Sequence, residues 1–323
     1  MSTQSSVMHE HFVDVSGRAV RVRVHGEGPP VLLINGLGAN LSMWASLLEQ
    51  LEGFQVITFD APGTGRSAAP FLPYTIRRIA EVAVRVLDAL EVEQVDVLGY
   101  SLGGGVAQQL ALDHPERVRR LVLVSSSCGA GAVPGSLVAL MAVMTPARHY
   151  LKSGYRLALK MVDLAPAEKE SRVLREQTEN WHHGAPPSVR GYTLQMTAFS
   201  MFNSLPWLQS VAHPTLVLSG THDRLIPLAN SAVLAAYLPN AKLLVFDRWG
   251  HYLLHDPDSG AGLAVASFFA AADHAACAPW RGARSISRDD MEALISAAPR
   301  SGHPTGHLNR LVRRLYRDRA GER

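Results

Sequence analysis

The chain has 323 residues, 47% of them hydrophobic and 18% charged, with a formal net charge of +3. That balance predicts a soluble globular protein with ample length for one large core, as one α/β domain with an insertion rather than two independent domains. No apolar run is long enough to span a bilayer, the polar opening Met1–Ser6 leads into no secretory signal, and the two cysteines, Cys128 and Cys277, suit a reducing compartment. The expected location is therefore the cytoplasm, with neither a disulfide framework nor a metal cluster.

His11–Val15 and Val20–Val24 alternate with period two around Ser16-Gly17-Arg18, the pattern of a hairpin at a sheet edge. Pro30–Ile34 is a continuous apolar run, as a strand covered on both faces requires, and it ends in the loop Asn35-Gly36-Leu37-Gly38-Ala39-Asn40. Helical periodicity covers Met43–Leu51, and Phe54–Asp60 is the next strand. The run Asp60-Ala61-Pro62-Gly63-Thr64-Gly65-Arg66-Ser67 lacks both the Lys-Ser/Thr ending of a P-loop and the Gly-x-Gly-x-x-Gly pattern. It reads as a structural turn fixed by an Asp60–Arg66 pair, and no nucleotide or other cofactor is expected.

A helix is expected over Tyr74–Leu90. The strand beginning at Val95 then runs into Gly99-Tyr100-Ser101-Leu102-Gly103, and Val106–Ala111 continues as helix. A serine on a tight strand-to-helix turn cannot fold its side chain inward, so the hydroxyl stands at the sheet edge, with glycines where a Cβ would collide. Leu121–Val124, Thr215–Ser219 and Lys242–Phe246 are further strands, and the alternation with helices predicts a mostly parallel sheet with flanking helices.

About ninety residues without a clear strand separate Ser125 from Thr215, too many for a simple connection. They read as an inserted helical cap. The expected organisation is a core of residues 1–127 and 208–275, a cap of residues 128–207, and a basic extension of residues 276–323. Most Met and aromatic side chains of the cap should hold it together, with a minority facing the serine. Met144, Met196 and Phe199 are the cap candidates for substrate contact, with Asn35, Gly36 and Tyr100 from the core.

A serine hydroxyl needs a base, and the base an orienting carboxylate. Asp223 follows the strand Thr215–Ser219, and His251 follows the last strand through Trp249-Gly250. Ser101, Asp223 and His251 thus come from three strand ends on one edge of the sheet. Among fourteen histidines the serious rival is His255, four residues on, while Asp247 is the rival acid and more readily shapes the turn into His251. The backbone N–H groups of Leu102 and Leu37 are the expected oxyanion donors. Asn35 has a second reading, in which it binds the loop backbone and holds its shape.

With these motifs in place, residues 12–269 resemble the α/β-hydrolase superfamily. Within it the chain looks most like the intracellular depolymerases of medium-chain-length polyhydroxyalkanoates. The resemblance rests on Asn35–Leu41, Phe59–Gly63, His114–Arg117, Val133-Pro134-Gly135, Thr145–Tyr150, and Pro214–Leu218 followed by Ile226-Pro227-Leu228; the sheet motifs are shared with many esterases, and only the Asn35–Asn40 run and the Val133–Tyr150 stretch point to the narrower family. It implies an α/β-hydrolase fold, a serine hydrolase with the triad Ser101, Asp223 and His251, and ester substrates with apolar acyl chains. Leu102 stands where that family commonly has a tryptophan, a departure that bears on the substrate rather than the chemistry. The alternatives are a carbon–carbon bond hydrolase of aromatic breakdown using the same three residues, and a non-catalytic receptor using the capped pocket.

From Arg281 to Arg323 ten arginines face five acidic residues, which leaves the rest of the chain at −2. Ser287–Asp290 reads as a capping box opening a short helix through Met291, Leu294 and Ile295. Leu308, Leu311, Val312, Leu315 and Tyr316 recur at helical spacing among arginines. Such a helix could contact a membrane or a lipid-coated granule, although docking of its stripe on the protein's own body, or a loosely ordered tail, is the preferred reading. Without aromatic interleaving across a folded domain, no nucleic-acid partner is expected.

Overall fold

The computed structural model describes residues 8–144, 146–162 and 185–298. Eight strands form one sheet: β1 (Met8–Asp14), β2 (Ala19–His25), β3 (Pro30–Ile34), β4 (Gln55–Phe59), β5 (Val95–Tyr100), β6 (Val118–Val124), β7 (Thr215–Gly220) and β8 (Ala241–Phe246). Their order is β1-β2-β4-β3-β5-β6-β7-β8; β1 and β2 run antiparallel, and every pair from β4 to β8 is parallel. The hairpin turns where expected. Ser16 and Gly17 both adopt positive φ, and the Val15 N–H donates to the Arg18 carbonyl at 2.8 Å, a primed turn matched to strand twist.

The central strands alternate between two cores, because successive side chains leave a strand on opposite faces. Leu32, Ile34, Val97, Leu121 and Leu123 pack with the helices Ile76–Ala89, Leu102–Asp113 and Leu228–Tyr237. Val31, Leu33, Leu98, Val122 and Leu218 pack instead with Trp44, Leu47, Val265 and Phe268 on the other face. With both faces covered, these strands need the continuous apolar runs seen in the sequence.

Two expectations change in detail. The helix expected over Met43–Leu51 is a 3-10 turn, Leu41–Trp44, followed by a single α-turn, Ala45–Leu48. Beyond it, Gln50 and Leu51 donate to Leu47 and Leu48, three residues back, so the chain winds out through turns. The Asp60–Arg66 contact runs through the backbone: the Arg66 N–H donates to Asp60 Oδ2 at 2.9 Å, while the guanidinium nearest that carboxylate belongs to Arg21, at 3.4 Å. Asp60 Oδ1 also accepts the Leu41 N–H at 2.9 Å, tying this turn to the end of the loop after β3.

The segment after Ser125 is helical, with Leu137–Val143, Lys152–Val162 and Val189–Ser200 arching over the carboxyl ends of the strands. At the far end, residues 276–298 are part of the body. Trp280 stacks on Phe268 with ring centroids 5.7 Å apart, Arg284 exchanges backbone hydrogen bonds with Leu243 along β8, and Met291 and Ile295 are buried in the core. The free edge of β8 is thereby partly covered. The capping box forms, with Ser287 and Asp290 opening the helix Arg288–Ala297. The basic stripe around Leu308–Tyr316 lies outside the described residues. Among the described residues no helix is long and apolar enough to cross a membrane.

Candidate active site

Strand β5 delivers Ser101 onto a turn with φ +55° and ψ −119°, a conformation an L-residue adopts only at a cost of about 1–3 kcal/mol. Its surroundings enforce it. The Ser101 N–H donates to the Val124 carbonyl at 2.9 Å, and the Ser101 carbonyl accepts from Ser126 Oγ at 2.8 Å and from the Gly104 N–H at 2.9 Å. A Cβ on Gly103 would lie 2.1 Å from the Ile34 carbonyl oxygen, and one on Gly99 2.5 Å from the Gly103 carbonyl oxygen, so only glycine permits the crossing.

Asp223 leaves the end of β7. Its Oδ1 accepts the N–H groups of Leu225 at 2.9 Å and Ile226 at 2.8 Å, which fixes the carboxylate and aims Oδ2 at His251 Nδ1, 2.8 Å away. Both side chains are almost wholly buried, so this contact is poorly screened. With Nδ1 committed to Asp223, Nε2 is the ring nitrogen left for the cavity. The Tyr100 hydroxyl donates to the His251 carbonyl at 3.2 Å, and the two rings meet at 5.2 Å.

The rivals take other places. His255 lies behind His251, fully buried against Trp44, Tyr100 and Tyr252, and burial pushes its pKa down to about 3. Asp247 is exposed beside Arg248 and accepts from Thr221 Oγ1 at 3.2 Å, bracing the turn into His251. His222 pairs with the Thr221 hydroxyl.

Ser101 and His251 line one cavity of about 220 Å³ under the cap. Gly36, Tyr100, Met144, Met196 and Phe199 reach it, as do Leu37 and Leu102. Among the described residues no protein acceptor meets the N–H of Leu37 or of Leu102, the two expected oxyanion donors. Asn35 is buried, and its Nδ2 donates to the Asn40 carbonyl at 3.0 Å, closing the loop between them.

Several lining residues escaped the sequence reading. Tyr252 directly follows His251, and Leu225 and Ile226 follow Asp223, so adjacency to the strand-end residues was the available signal. Arg148 and His149 bring the polar character of the cap into the cavity, and an Arg-His pair inside an apolar helical stretch was a signal left unused. Burial, with Arg148 alongside, holds His149 well below the ordinary histidine range. Among the described residues no group of three His, Cys, Asp or Glu side chains could hold a metal.

Comparison with known proteins matches residues 29–258 to the family described as alpha/beta hydrolase fold. A poly(3-hydroxyalkanoate) depolymerase of Ectopseudomonas oleovorans is 37% identical over 251 residues, covering 75% of this chain and 86% of that protein. A 2-hydroxymuconate semialdehyde hydrolase of Pseudomonas sp. (strain CF600) is 32% identical, covering 81% of this chain and 95% of the relative. The crystal structure of the enol-lactonase from Burkholderia xenovorans LB400 superposes with a TM-score of 0.68 at 26% identity, covering 81% of this chain and all 100% of its own.

Proposed function

The chain belongs to the α/β-hydrolase fold family, and from that premise we propose that it is a serine hydrolase cleaving carboxylic esters with apolar acyl chains through an acyl-enzyme. The observation that carries this reading is the buried 2.8 Å contact between Asp223 and His251 beside a strained Ser101 in one cavity. Ser101 Oγ attacks the ester carbonyl while His251 Nε2 takes its proton, and the same proton then goes to the departing alkoxide. Asp223 keeps the Nδ1–H tautomer and stabilises the imidazolium. The negative charge on the former carbonyl oxygen falls between the Leu37 and Leu102 N–H groups. Water, deprotonated by His251, then hydrolyses the acyl-enzyme.

The wall supports the substrate class. Leu140, Val143, Met144, Met196 and Phe199 offer an apolar, adaptable surface suited to an alkyl chain. Together with the depolymerase relative, this favours 3-hydroxyalkanoate esters or oligomers of medium chain length. A second reading, carbon–carbon bond hydrolysis, draws on the 2-hydroxymuconate semialdehyde hydrolase relative.

The test is a chain-length series of p-nitrophenyl esters run beside a medium-chain polyester emulsion and a ring-cleavage dienoate. An acyl-enzyme burst with the esters and hydroxy-acid release from the emulsion are expected, both lost in Ser101→Ala. Turnover of the dienoate alone would replace the ester reading with the second one, and undiminished turnover in Ser101→Ala would overturn both.

A further inference from the structure

The oxyanion loop is held from two sides. On the core side its ends are pinned: Asn35 Nδ2 donates to the Asn40 carbonyl, the Ala39 N–H to the Gly36 carbonyl at 3.2 Å, and the Leu41 N–H to Asp60. The middle is held by the cap. Arg148 Nη2 donates to the Leu37 carbonyl at 3.1 Å, and Gln195 Oε1 accepts the Gly38 N–H at 2.9 Å. That carbonyl and that N–H are opposite edges of one planar peptide unit. Two hydrogen bonds on opposite edges fix its rotation, and only the φ and ψ of Leu37 separate it from the unit that carries the Leu37 N–H.

We propose that Arg148 and Gln195 are positioning residues that clamp the Leu37–Gly38 peptide and thereby aim the Leu37 N–H at the developing oxyanion, so the cap builds half of the oxyanion hole. This rests on the serine-hydrolase reading above. Both clamp residues are themselves held. Gln195 is buried, and the Gly38 N–H requires the oxygen end of its amide to face the loop. Arg148 Nε donates to His149 Nε2 at 3.1 Å, which requires that nitrogen to carry a lone pair, and the guanidinium lies 5.7 Å over the Tyr192 ring. Tyr192 is anchored in turn by its hydroxyl, which donates to the Val143 carbonyl at 2.6 Å.

Closing the cap does not by itself require these bonds. Cap and core are also joined through Ser188 to Gly63, Ser136 to Arg224, and a reciprocal pair between Val133 and Asn230. The Arg148 and Gln195 bonds are distinctive because they meet on the peptide next to the candidate donor.

The experiment compares Arg148→Met, Gln195→Met, Arg148→Lys and Gln195→Glu with the wild type. Three quantities are read: steady-state rates on a p-nitrophenyl ester, inhibition by an alkyl boronic acid that forms a tetrahedral adduct on Ser101, and Kd for the intact ester in a Ser101→Ala background. Each Met variant is expected to lose roughly 10–100-fold in both kcat and boronate affinity. Its ester Kd should stay within about twofold, because only the tetrahedral species needs the donor. Gln195→Glu, which keeps an acceptor for the Gly38 N–H, and Arg148→Lys, which keeps a cationic donor, should recover most of the loss. Boronate affinity that survives in the Met variants, or that falls only in step with ester Kd, would overturn the clamp. If Gln195→Met does not fold, the Arg148 pair carries the test alone. A fluorophosphonate probe on the wild type separates the two levels: failure to label Ser101 removes the serine-hydrolase reading and the clamp with it, whereas labelling with unchanged boronate affinity removes the clamp only.

Discussion

At Ser101 the elbow spends backbone strain to present one hydroxyl, and the residues around it divide the remaining work by hydrogen-bond direction. Asp223 accepts from two amides and one imidazole, so it can only hold His251 as an Nδ1–H tautomer. Asp223→Asn would present an N–H to Nδ1, moving the ring proton to Nε2, where it can no longer take one from serine. We expect kcat to fall on the order of 10⁴-fold with KM little changed, as stopped-flow acylation would measure. His255 tests a different consequence of burial. Spacing alone made it a rival base, but the 3-10 turn Leu253–His255 places it behind His251 among aromatic rings. Its folded pKa of about 3 lies below the ordinary 6.5, so between those values the unfolded chain binds more protons. Stability should therefore be complete above pH 6.5 and fall as pH drops toward 3, by at most about 1.4 kcal/mol per pH unit. His149 is shifted the same way and adds to the fall. His255→Phe, which removes one titration, should give a shallower loss between pH 6.5 and 4 in urea melts; an unchanged slope would show that burial of His255 is not its source.

Among the elements, strands were the most legible part of the sequence. A buried parallel strand needs an apolar run, and Pro30–Ile34, Leu121–Val124 and Thr215–Ser219 all lie within the strands found. The triad candidates were legible for the same reason, since each follows a strand and parallel strands end on one edge. The helix Arg288–Ala297 was legible too, from the cap of Ser287 and Asp290 and from the apolar spacing of Met291, Leu294 and Ile295. Its docking depends on Met291 and Ile295 meeting the helix Leu228–Tyr237, some fifty residues earlier, and no local pattern carries that contact. The segment is consequently a structural part of the hydrolase body. Ile295→Ala should destabilise the protein by about 2–4 kcal/mol in urea unfolding, while kcat below the transition stays at the wild-type level. Ser287→Ala, which removes the cap bond, should cost about 1 kcal/mol by the same measurement.

Across the whole molecule, the function proposed depends on how the cap sits on the sheet edge, and that seat is built from close backbone contact. The helix Val189–Ser200 crosses the turn after β4 so closely that a Cβ on Gly191 would lie 2.2 Å from the Gly63 carbonyl oxygen and 2.6 Å from its Cα. The Ser188 N–H donates to that same carbonyl at 3.2 Å. Gln195 lies one helical turn further on, over Gly38, so any lift of this helix at Gly191 also draws on the oxyanion loop. None of this was readable from the cap sequence, because Gly63 and Gly191 carry no signal of each other and the helix looks like any other amphipathic segment. Gly191→Val forces the two backbones apart, a strain of about 1–3 kcal/mol that falls on the seat of the cap rather than on the sheet. The expected variant keeps its far-ultraviolet circular dichroism and the core unfolding transition. It loses at least about tenfold in kcat and is cleaved faster by protease within the cap. Wild-type kcat in a folded Gly191→Val would mean that the oxyanion loop holds its shape without the cap helix in place.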